Sequence, residues 1–318
     1  MGWRNQKFFV DWRIIVSKGD KVYVDYILNL ENQNVLIVFD SKSLGDNICW
    51  VPQVEKFRKK HKCNLYVSTF FNHLFEESYP EINFVEPNKP VENIKFDFEW
   101  WLGVYMEQIE FYHPTDWRLV PLGQIGSDQL GLDYEEIRCK IDEPKNHNLS
   151  FVPNKKYVCI SMASTAGLKH WQNPEGWQKT VDYLKSLGYE VILIQRERLP
   201  WMDLKPLDGI LHPNLDNFDD VVNLVQNCEF FIGLSSGISW LAWALEKKVI
   251  LISGFTKPWL EFYTPYRIIN ENVCNGCWHD LEYKFDRGDW NWCPRKQDFE
   301  CSKAISAEKV IQEINKIV

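Results

Sequence analysis

The chain has 318 residues, which is enough for about two domains. Its 36 Lys and Arg against 44 Asp and Glu give a net charge of −8. That balance argues against a protein that binds nucleic acid or a membrane surface, because such proteins need a basic face. The apolar fraction of 45% predicts an ordinary globular protein with a large core, although 15 Trp, 13 Tyr and 19 Phe make the chain unusually aromatic.

The sequence carries no signal for secretion or membrane insertion. Residues 1–10 lack the apolar stretch of a signal peptide, and the longest run without charge, residues 230–245, is too short to span a bilayer. We therefore expect a cytoplasmic protein without disulfides. Five of its nine cysteines are scattered singly and are predicted to be small buried apolar residues: Cys49, Cys63, Cys139, Cys159 and Cys228.

The first half of the chain begins with two β-rich runs between residues 7 and 30, which predict a hairpin around the polar turn SKGDK. Residues 34–40 form a continuous apolar run, typical of a strand buried in a parallel sheet. A helix is predicted from Ile48 to Lys60, then strands at NLYVSTF and INFVE with a short helix between them at residues 72–79. This alternation predicts a Rossmann-like α/β half. The following segment, KFDFEWWLGVYM, fits a strand or a helix equally well.

The second half repeats the alternation after a polar linker, DEPKNHNLSFVPN. Strands are predicted at KYVCISM, YEVILIQ, EFFIG and KKVILISG, and helices at residues 175–187, 218–227, 238–245 and 307–317. The sequence thus predicts an α/β fold of two Rossmann-like domains with a cleft between them. The predicted divisions are an N-terminal β-hairpin (1–33), a first domain (34–150) and a second domain (151–318).

A carboxylate, Asp46, follows the first buried strand in the motif Ser43-Leu44-Gly45-Asp46. The carboxyl end of a strand in an open α/β sheet faces the crevice where ligands bind, so Asp46 is a candidate catalytic group. The alternative is that Asp46 only caps the helix that follows, and the spacing alone favours that cap.

A second motif, STAGLKHWQNPEGW, follows the first strand of the second half. Lys169 and a loop of small residues before a helix could hold an anion, although the pattern is not a Walker A motif. A solvated lysine is the alternative. The later run GLSSGISWLAWAL could place a phosphate at a helix start near Ser236, or, as a nucleophile elbow, would make Ser235 the nucleophile of a hydrolase.

Four cysteines lie close together near the C-terminus: Cys274, Cys277, Cys293 and Cys301. In a reducing compartment such a set indicates a metal site, and four thiolates suit either tetrahedral zinc or a single iron. Because four protein ligands leave no open position, the site is predicted to be structural. We call residues 272–302 the cysteine segment.

Taken together, these motifs resemble the heptosyltransferases of the GT-B fold, over roughly residue 35 to the C-terminus. SLGDNICWVPQVEKFRKKH and KHWQNPEGWQKTVDYLKSLGYEVILI are similar to motifs of the lipopolysaccharide heptosyltransferases. HPTDWRLVPLGQIGSDQLGL, GLSSGISWLAWAL and the four cysteines resemble a narrower group, the bacterial autotransporter heptosyltransferases. Where the lipopolysaccharide enzymes have Asp-Thr-Gly and then His, this chain has Ser235-Ser236-Gly237 and Trp240, which agrees with the autotransporter group.

The resemblance implies a role for each matching residue. Asp46 takes the place of the general base, Lys169 that of the lysine on the donor pyrophosphate, and Glu197 falls near the ribose. The full set of donor-binding residues implied in this way is Thr165, Lys169, Glu197, Ser235, Ser236 and Gly237. Residues 34–150 then form the acceptor side and 151–318 the nucleotide-sugar domain.

The implied activity is inverting transfer of heptose from ADP-heptose to serine hydroxyls of a protein such as an autotransporter. The resemblance favours one structural iron per chain, with zinc open, and leaves a homo-oligomer open. Two alternatives remain at this point: a heptosyltransferase acting on a glycan, and a non-catalytic module that binds a nucleotide sugar or a protein.

Overall fold

The computed structural model describes residues 7–105, 109–145, 155–284 and 290–318, with only the backbone of Glu110. The chain divides into two compact units, Met1–Asp142 and Glu143–Val318. Each unit is built on its own parallel sheet, and the first also carries an antiparallel hairpin. In the described part of the chain, no helix combines the length and the apolar character that crossing a membrane requires.

The hairpin consists of β1 (Arg13–Lys18) and β2 (Lys21–Ile27), paired antiparallel as predicted. Every residue of both strands is exposed. Strand β1 begins at Arg13, whereas the β-rich run of the sequence begins at residue 7. The difference arises because Phe9 belongs to the core of the first unit. Its ring is 3% exposed and lies 5.4 Å from the ring centroids of both Phe57 and Trp100.

The first unit is a four-stranded parallel sheet in the order β5-β4-β3-β6. Its strands are β3 (Asn34–Phe39), β4 (Asn64–Ser68), β5 (Asn83–Val85) and β6 (Phe98–Leu102). Its α-helices are α1 (Leu44–His61), α2 (Ile109–Tyr112) and α3 (Leu122–Gln129). The segment that fitted strand or helix equally well is therefore strand β6, at the edge of the sheet.

The helix predicted at residues 72–79 is wrong beyond its first turn, since only Asn72–Leu74 is helical, as a 3-10 turn. The Asp142 carboxylate accepts the backbone N–H groups of Glu77 and Ser78 at 2.8 and 2.7 Å. Those two donors are thereby taken by a side chain 65 residues away instead of by helical carbonyls.

The second unit is a five-stranded parallel sheet in the order β11-β10-β9-β7-β8. Its strands are β7 (Tyr157–Ile160), β8 (Glu190–Leu193), β9 (Phe231–Leu234), β10 (Val249–Ile252) and β11 (Arg267–Ile268). Its helices are α4 (Gly176–Ser186), α5 (Phe218–Asn227), α6 (Gly237–Ala244), α7 (Glu300–Lys303) and α8 (Ala307–Ile314). The predicted strands and helices of this half are present, and the two-residue β11 was missed because it is too short to show a pattern. The five single cysteines are all buried, as predicted.

Candidate functional site

The predicted site residues lie beyond the carboxyl ends of the parallel strands. In the first unit, Asp46 follows β3. In the second unit, Thr165 and Lys169 follow β7, Glu197 follows β8, and residues 235–237 follow β9. Strands β9, β7 and β8 are neighbours in the sheet, so the donor residues implied by the resemblance gather at one edge.

The cap interpretation of Asp46 is wrong. Helix α1 begins at Leu44, four residues earlier than predicted, and its N-cap is Ser43. Asp46 therefore lies inside the first turn. Its side chain, in a residue only 9% exposed, accepts a hydrogen bond from the Ser41 hydroxyl at 2.5 Å. The N–H groups of a helix start favour a negatively charged side chain at this position.

The loop before α1 is held to that first turn by a second side chain. The Asn47 amide donates to the Ser41 and Ser43 carbonyls at 2.9 and 2.7 Å. Asn47 is fully buried. Because Ser41 contacts Asp46 through its hydroxyl and Asn47 through its carbonyl, the carboxylate is fixed by residues of its own loop.

The Lys169 loop forms a 3-10 turn, Gly167–Lys169. Its backbone is held by the cysteine segment: the Gly167 N–H donates to Asn291 Oδ1 at 2.8 Å, and the Leu168 N–H donates to the Trp290 carbonyl at 3.0 Å. The half-buried Lys169 ammonium lies 5.9 Å from the centroid of the Phe255 ring, where its charge meets the face of an aromatic.

Beside Lys169, His170 is buried with 1% exposure, and burial lowers the pKa of its imidazole. Its Nε2 lies 3.3 Å from both the backbone N and O of Ser164. The negative charge of Glu197 is near enough to oppose that pKa shift. At neutral pH the imidazole is therefore uncharged, and Lys169 is the cation of this loop. Thr165 is exposed.

Ser235 does not have the environment of a hydrolase nucleophile. Its hydroxyl is buried and donates to Glu261 Oε1 at 2.5 Å, while Glu261 Oε2 pairs with Arg267 at 2.7 Å. A nucleophile elbow instead exposes its serine to a histidine base. The Ser235 carbonyl accepts the Ser164 hydroxyl at 3.3 Å, which joins the loops after β9 and β7.

Ser236 and Gly237 mark the start of α6. Ser236 is the N-cap, with extended backbone, and Gly237 is the first helical residue. The first N–H groups of any α-helix have no partner within it, so this helix start has the backbone chemistry that an anion needs.

Sequence reasoning missed the residues that support these loops, namely Ser41, Phe255, Glu261, Arg267, Trp290 and Asn291. One signal was available: Glu261 and Arg267 are single charges within the aromatic and apolar run PWLEFYTPYRII, where an unpaired charge would be costly. Nothing in the sequence linked Asn291 to Gly167, which lies 124 residues earlier.

The four cysteines are brought near one another. Burial, with smaller contributions from the charges of other cysteines of the set, raises the pKa of Cys277 to about 11 and that of Cys301 to about 12, while Arg295 lowers that of Cys277. Cys293 likewise raises the pKa of Cys274, although burial is the larger cause. Within the ranges that the structure describes, however, no three His, Cys, Asp or Glu side chains are arranged to hold a metal ion. The donor set fits a soft metal in its chemistry, and the ligand shell itself stays a prediction.

Part of the cysteine segment packs against the rest of the second unit. Trp290 is fully buried and packs with Cys277 of the segment and with Leu168 and Phe255 outside it. The Phe255 ring centroid lies 5.9 Å from that of Trp290 and 5.3 Å from that of Trp278. Residues 285–289 lie outside the described part.

A family profile matches this chain: glycosyltransferase family 9 (heptosyltransferase), over residues 124–287. The match covers half of the chain and includes all five strands of the second sheet, β7 to β11, with the loops that carry the predicted donor residues. Fold and profile together define the class of the protein, a glycosyltransferase of the α/β type with parallel sheets, similar to GT-B.

Individual relatives narrow the class. The autotransporter heptosyltransferase Aah of Escherichia coli is 38% identical over 97% of this chain and 81% of its own length. The crystal structure of the iron-containing dodecameric glycosyltransferase TibC from enterotoxigenic E. coli matches with a TM-score of 0.88 and 35% identity, over 98% of this chain and 84% of that one. TibC has also been solved in complex with an ADP-heptose. BimC of Burkholderia thailandensis, described as an inactive autotransporter heptosyltransferase, is 30% identical over 98% of this chain and 75% of its own length.

The chain belongs to the autotransporter heptosyltransferases of glycosyltransferase family 9. The resemblance drawn from the motifs is confirmed at the level of family, fold and enzyme class.

Proposed function

We propose that this protein transfers heptose from ADP-heptose to serine hydroxyls of a protein acceptor of the autotransporter kind, with inversion at the sugar carbon. The observation that carries the proposal is the position of Asp46, a nearly buried carboxylate in the first turn of α1, beyond the carboxyl end of β3. The similarity to Aah and to TibC over nearly the whole chain supports the choice of donor and acceptor.

In the proposed mechanism Asp46 is the general base. A serine hydroxyl is a weak nucleophile at neutral pH, so a carboxylate within hydrogen-bond reach must accept its proton as the new bond forms. The Ser41 hydroxyl holds one carboxylate oxygen, Oδ2, and orients the group. The bond to the heptose carbon forms on one face while the bond to ADP breaks on the other, which inverts that carbon.

The leaving ADP gathers negative charge on its pyrophosphate. Lys169 supplies a positive charge at the loop after β7, and the helix start at Ser236 and Gly237 supplies backbone N–H donors after β9. Both groups would stabilise the departing charge more than the bound donor, which is the requirement for catalysis. Thr165 and Glu197 would contact the same donor, with Glu197 near the ribose.

Cys274, Cys277, Cys293 and Cys301 would hold one iron per chain, with zinc as the alternative. The iron-containing relative TibC supports the choice of iron. When bound, the metal would cross-link the cysteine segment and supply no chemistry to the transfer. No disulfide joins any two of the nine cysteines, and thiolate ligands would keep their metal in a reducing compartment such as the cytoplasm.

We also propose that copies of this chain associate through the hairpin. Eight large apolar side chains of β1 and β2 are between 44% and 61% exposed: Ile14, Ile15, Val16, Val22, Tyr23, Val24, Tyr26 and Ile27. Such a patch is unusual on a monomer, and the relative TibC is dodecameric. Light scattering after gel filtration should show a particle of several chains, and a charge at Ile27 (Ile27→Asp) should reduce its mass. A monomeric wild-type protein would contradict this.

The test of the function is turnover. Purified protein is incubated with ADP-heptose, with and without an autotransporter passenger, while ADP release and acceptor mass are followed. Acceptor-dependent ADP release with one added heptose mass per modified serine is the expected result. The inactive relative BimC makes a non-catalytic binding module the specific alternative. Donor binding without ADP release on any acceptor would favour that module, and transfer to a glycan alone would favour the other alternative.

A further inference from the structure

A cavity lies in the first unit, and none of its lining residues has a role in the proposed mechanism. It has a volume of about 420 Å³ and lies against β6, the edge strand of the sheet. Its polar lining consists of the carboxylates of Asp40 and Glu99 and the ammonium of Lys7. Its apolar lining includes Trp101, whose ring is 53% exposed, and the stacked rings of Tyr105 and Tyr112.

The wall of this cavity is fixed by two buried side chains. Gln129, 1% exposed, accepts the Gly103 N–H at 3.1 Å and donates to the Gly103 carbonyl at 2.8 Å. His113, 3% exposed, accepts the Tyr105 N–H on its Nε2 at 3.2 Å. Burial lowers the pKa of His113 to about 4, so its ring is neutral at pH 7 and can accept that bond. A site whose backbone is already held loses little entropy when a ligand binds.

The absence of a side chain at Gly103 leaves room for the ring of Tyr105 beside Asp40. A Cβ there would lie 3.0 Å from the Tyr105 ring and 3.2 Å from the Asp40 Cβ. Any larger residue at this position would therefore crowd the ring against the end of β3. Burial raises the pKa of Tyr105 and the charge of Asp40 raises it further, so its hydroxyl stays protonated and can act as a donor.

The cavity adjoins the loop of the proposed base. Asp40 is the first residue after β3, and its N–H donates to the Leu102 carbonyl of β6 at 2.8 Å. The next residue is Ser41, whose hydroxyl holds Asp46. The lining residue Asp40 is therefore next in sequence to the serine that contacts the proposed base.

The charges of the lining limit what can occupy it. Two carboxylates against one lysine repel phosphates and acidic side chains, which excludes the donor pyrophosphate. They accept hydrogen bonds from amides, hydroxyls and ammonium groups, and the exposed indole and tyrosine rings offer flat apolar contact.

We propose that this cavity is the subsite for the peptide that flanks the acceptor serine, and that Glu99 and Asp40 select neutral or basic flanking residues over acidic ones. The inference rests on the proposed function, because it takes the acceptor to be a polypeptide.

The test uses three short synthetic peptides, each with one serine among Gly, Asn and Thr and with Glu, Gln or Lys beside it. Peptide binding is measured by fluorescence anisotropy in the presence of ADP, and transfer is measured separately with ADP-heptose. The Glu peptide should bind roughly twofold to fivefold more weakly than the Lys peptide, the upper part of the range for exposed charge pairs. Glu99→Lys should reverse that order.

Two further variants sharpen the test. Glu81→Lys makes the same charge change at an exposed glutamate beside β5, at the opposite edge of the same sheet, and should leave the order unchanged. Trp101→Ala should raise the KM of all three peptides and leave the KM of ADP-heptose unchanged.

The two proposals fail in different ways. Binding in the expected order without transfer would retain the subsite and overturn serine transfer. Transfer or binding that ignores peptide charge, or an equal response to Glu81→Lys and Glu99→Lys, would overturn the subsite. Absence of both binding and transfer would overturn both.

Discussion

The two halves of the proposed catalytic machinery are held in different ways. Asp46 is fixed by Ser41, five residues earlier in the same loop. The Lys169 loop is fixed by Asn291 and Trp290 of the cysteine segment, and the adjoining Gln172 N–H donates to Ser302 Oγ at 2.7 Å, across 130 residues. The contact between Ser41 and Asp46 thus joins residues close in sequence, whereas the Lys169 loop is held by a distant segment. A variant that disrupts the cysteine segment should therefore also weaken donor binding.

The largest effect is expected from Asp46→Asn. The amide keeps the size of the side chain and cannot accept the proton of the acceptor, so transfer should fall by about 10² to 10⁴. Donor affinity by calorimetry and Tm should change little, because the amide oxygen of Asn can still accept the Ser41 hydroxyl. Near-normal turnover would show that another group is the base.

Loss of two cysteines should come next. Cys274→Ser with Cys277→Ser should remove the iron, measured by elemental analysis, and lower solubility and Tm, because metal ligation contributes to folding. If the Lys169 loop depends on this segment, donor affinity should fall as well. Cys63→Ser, a buried cysteine of the first unit, is the matched control that should keep the iron. A metal-free double variant with unchanged Tm and activity would rule the site out.

Lys169→Ala should weaken ADP-heptose binding by about 1.5–3 kcal/mol, the range for a hydrogen bond to a charged group. Calorimetry measures this directly. Lys248→Ala removes an exposed lysine of the second unit that directly precedes β10, away from the carboxyl ends of the strands, and serves as the control. Unchanged donor affinity in Lys169→Ala would remove Lys169 from the pyrophosphate site.

The smallest effect is expected from Asn291→Ala, which removes the acceptor for the Gly167 N–H. The loss of one neutral hydrogen bond is worth about 1 kcal/mol, so donor affinity should fall roughly fivefold while kcat on saturating donor changes less. Asn291→Asp keeps an acceptor oxygen and should restore much of the affinity. The exposed Asn272→Ala is the control within the same segment. Equal donor affinity in the three variants would mean that the hydrogen bond from Gly167 to Asn291 does not position the Lys169 loop.

The difference between the two halves also explains what the sequence could predict. Strands such as β3 and β9 and helices such as α5 follow from apolar patterns a few residues long, and the position of Asp46 follows from the strand before it. The start of α1 was missed because Ser43 is its N-cap without a side-chain capping bond. The hydrogen bond from Gly167 to Asn291 forms only when distant segments meet, and no local pattern predicts it. The Glu261–Arg267 pair behind Ser235 is different, because its two charges stand in one apolar run of the sequence.

The exposed hairpin has a consequence for how order is distributed along the chain. A two-stranded ribbon is at best marginally stable in water, and every residue of β1 and β2 faces solvent in a single chain. A neighbouring copy that covered the ribbon would therefore supply its stability by mass action. The amide protons of β1 and β2 should then exchange faster as the protein is diluted, while those of β3 and β9 keep the protection of their own buried sheets.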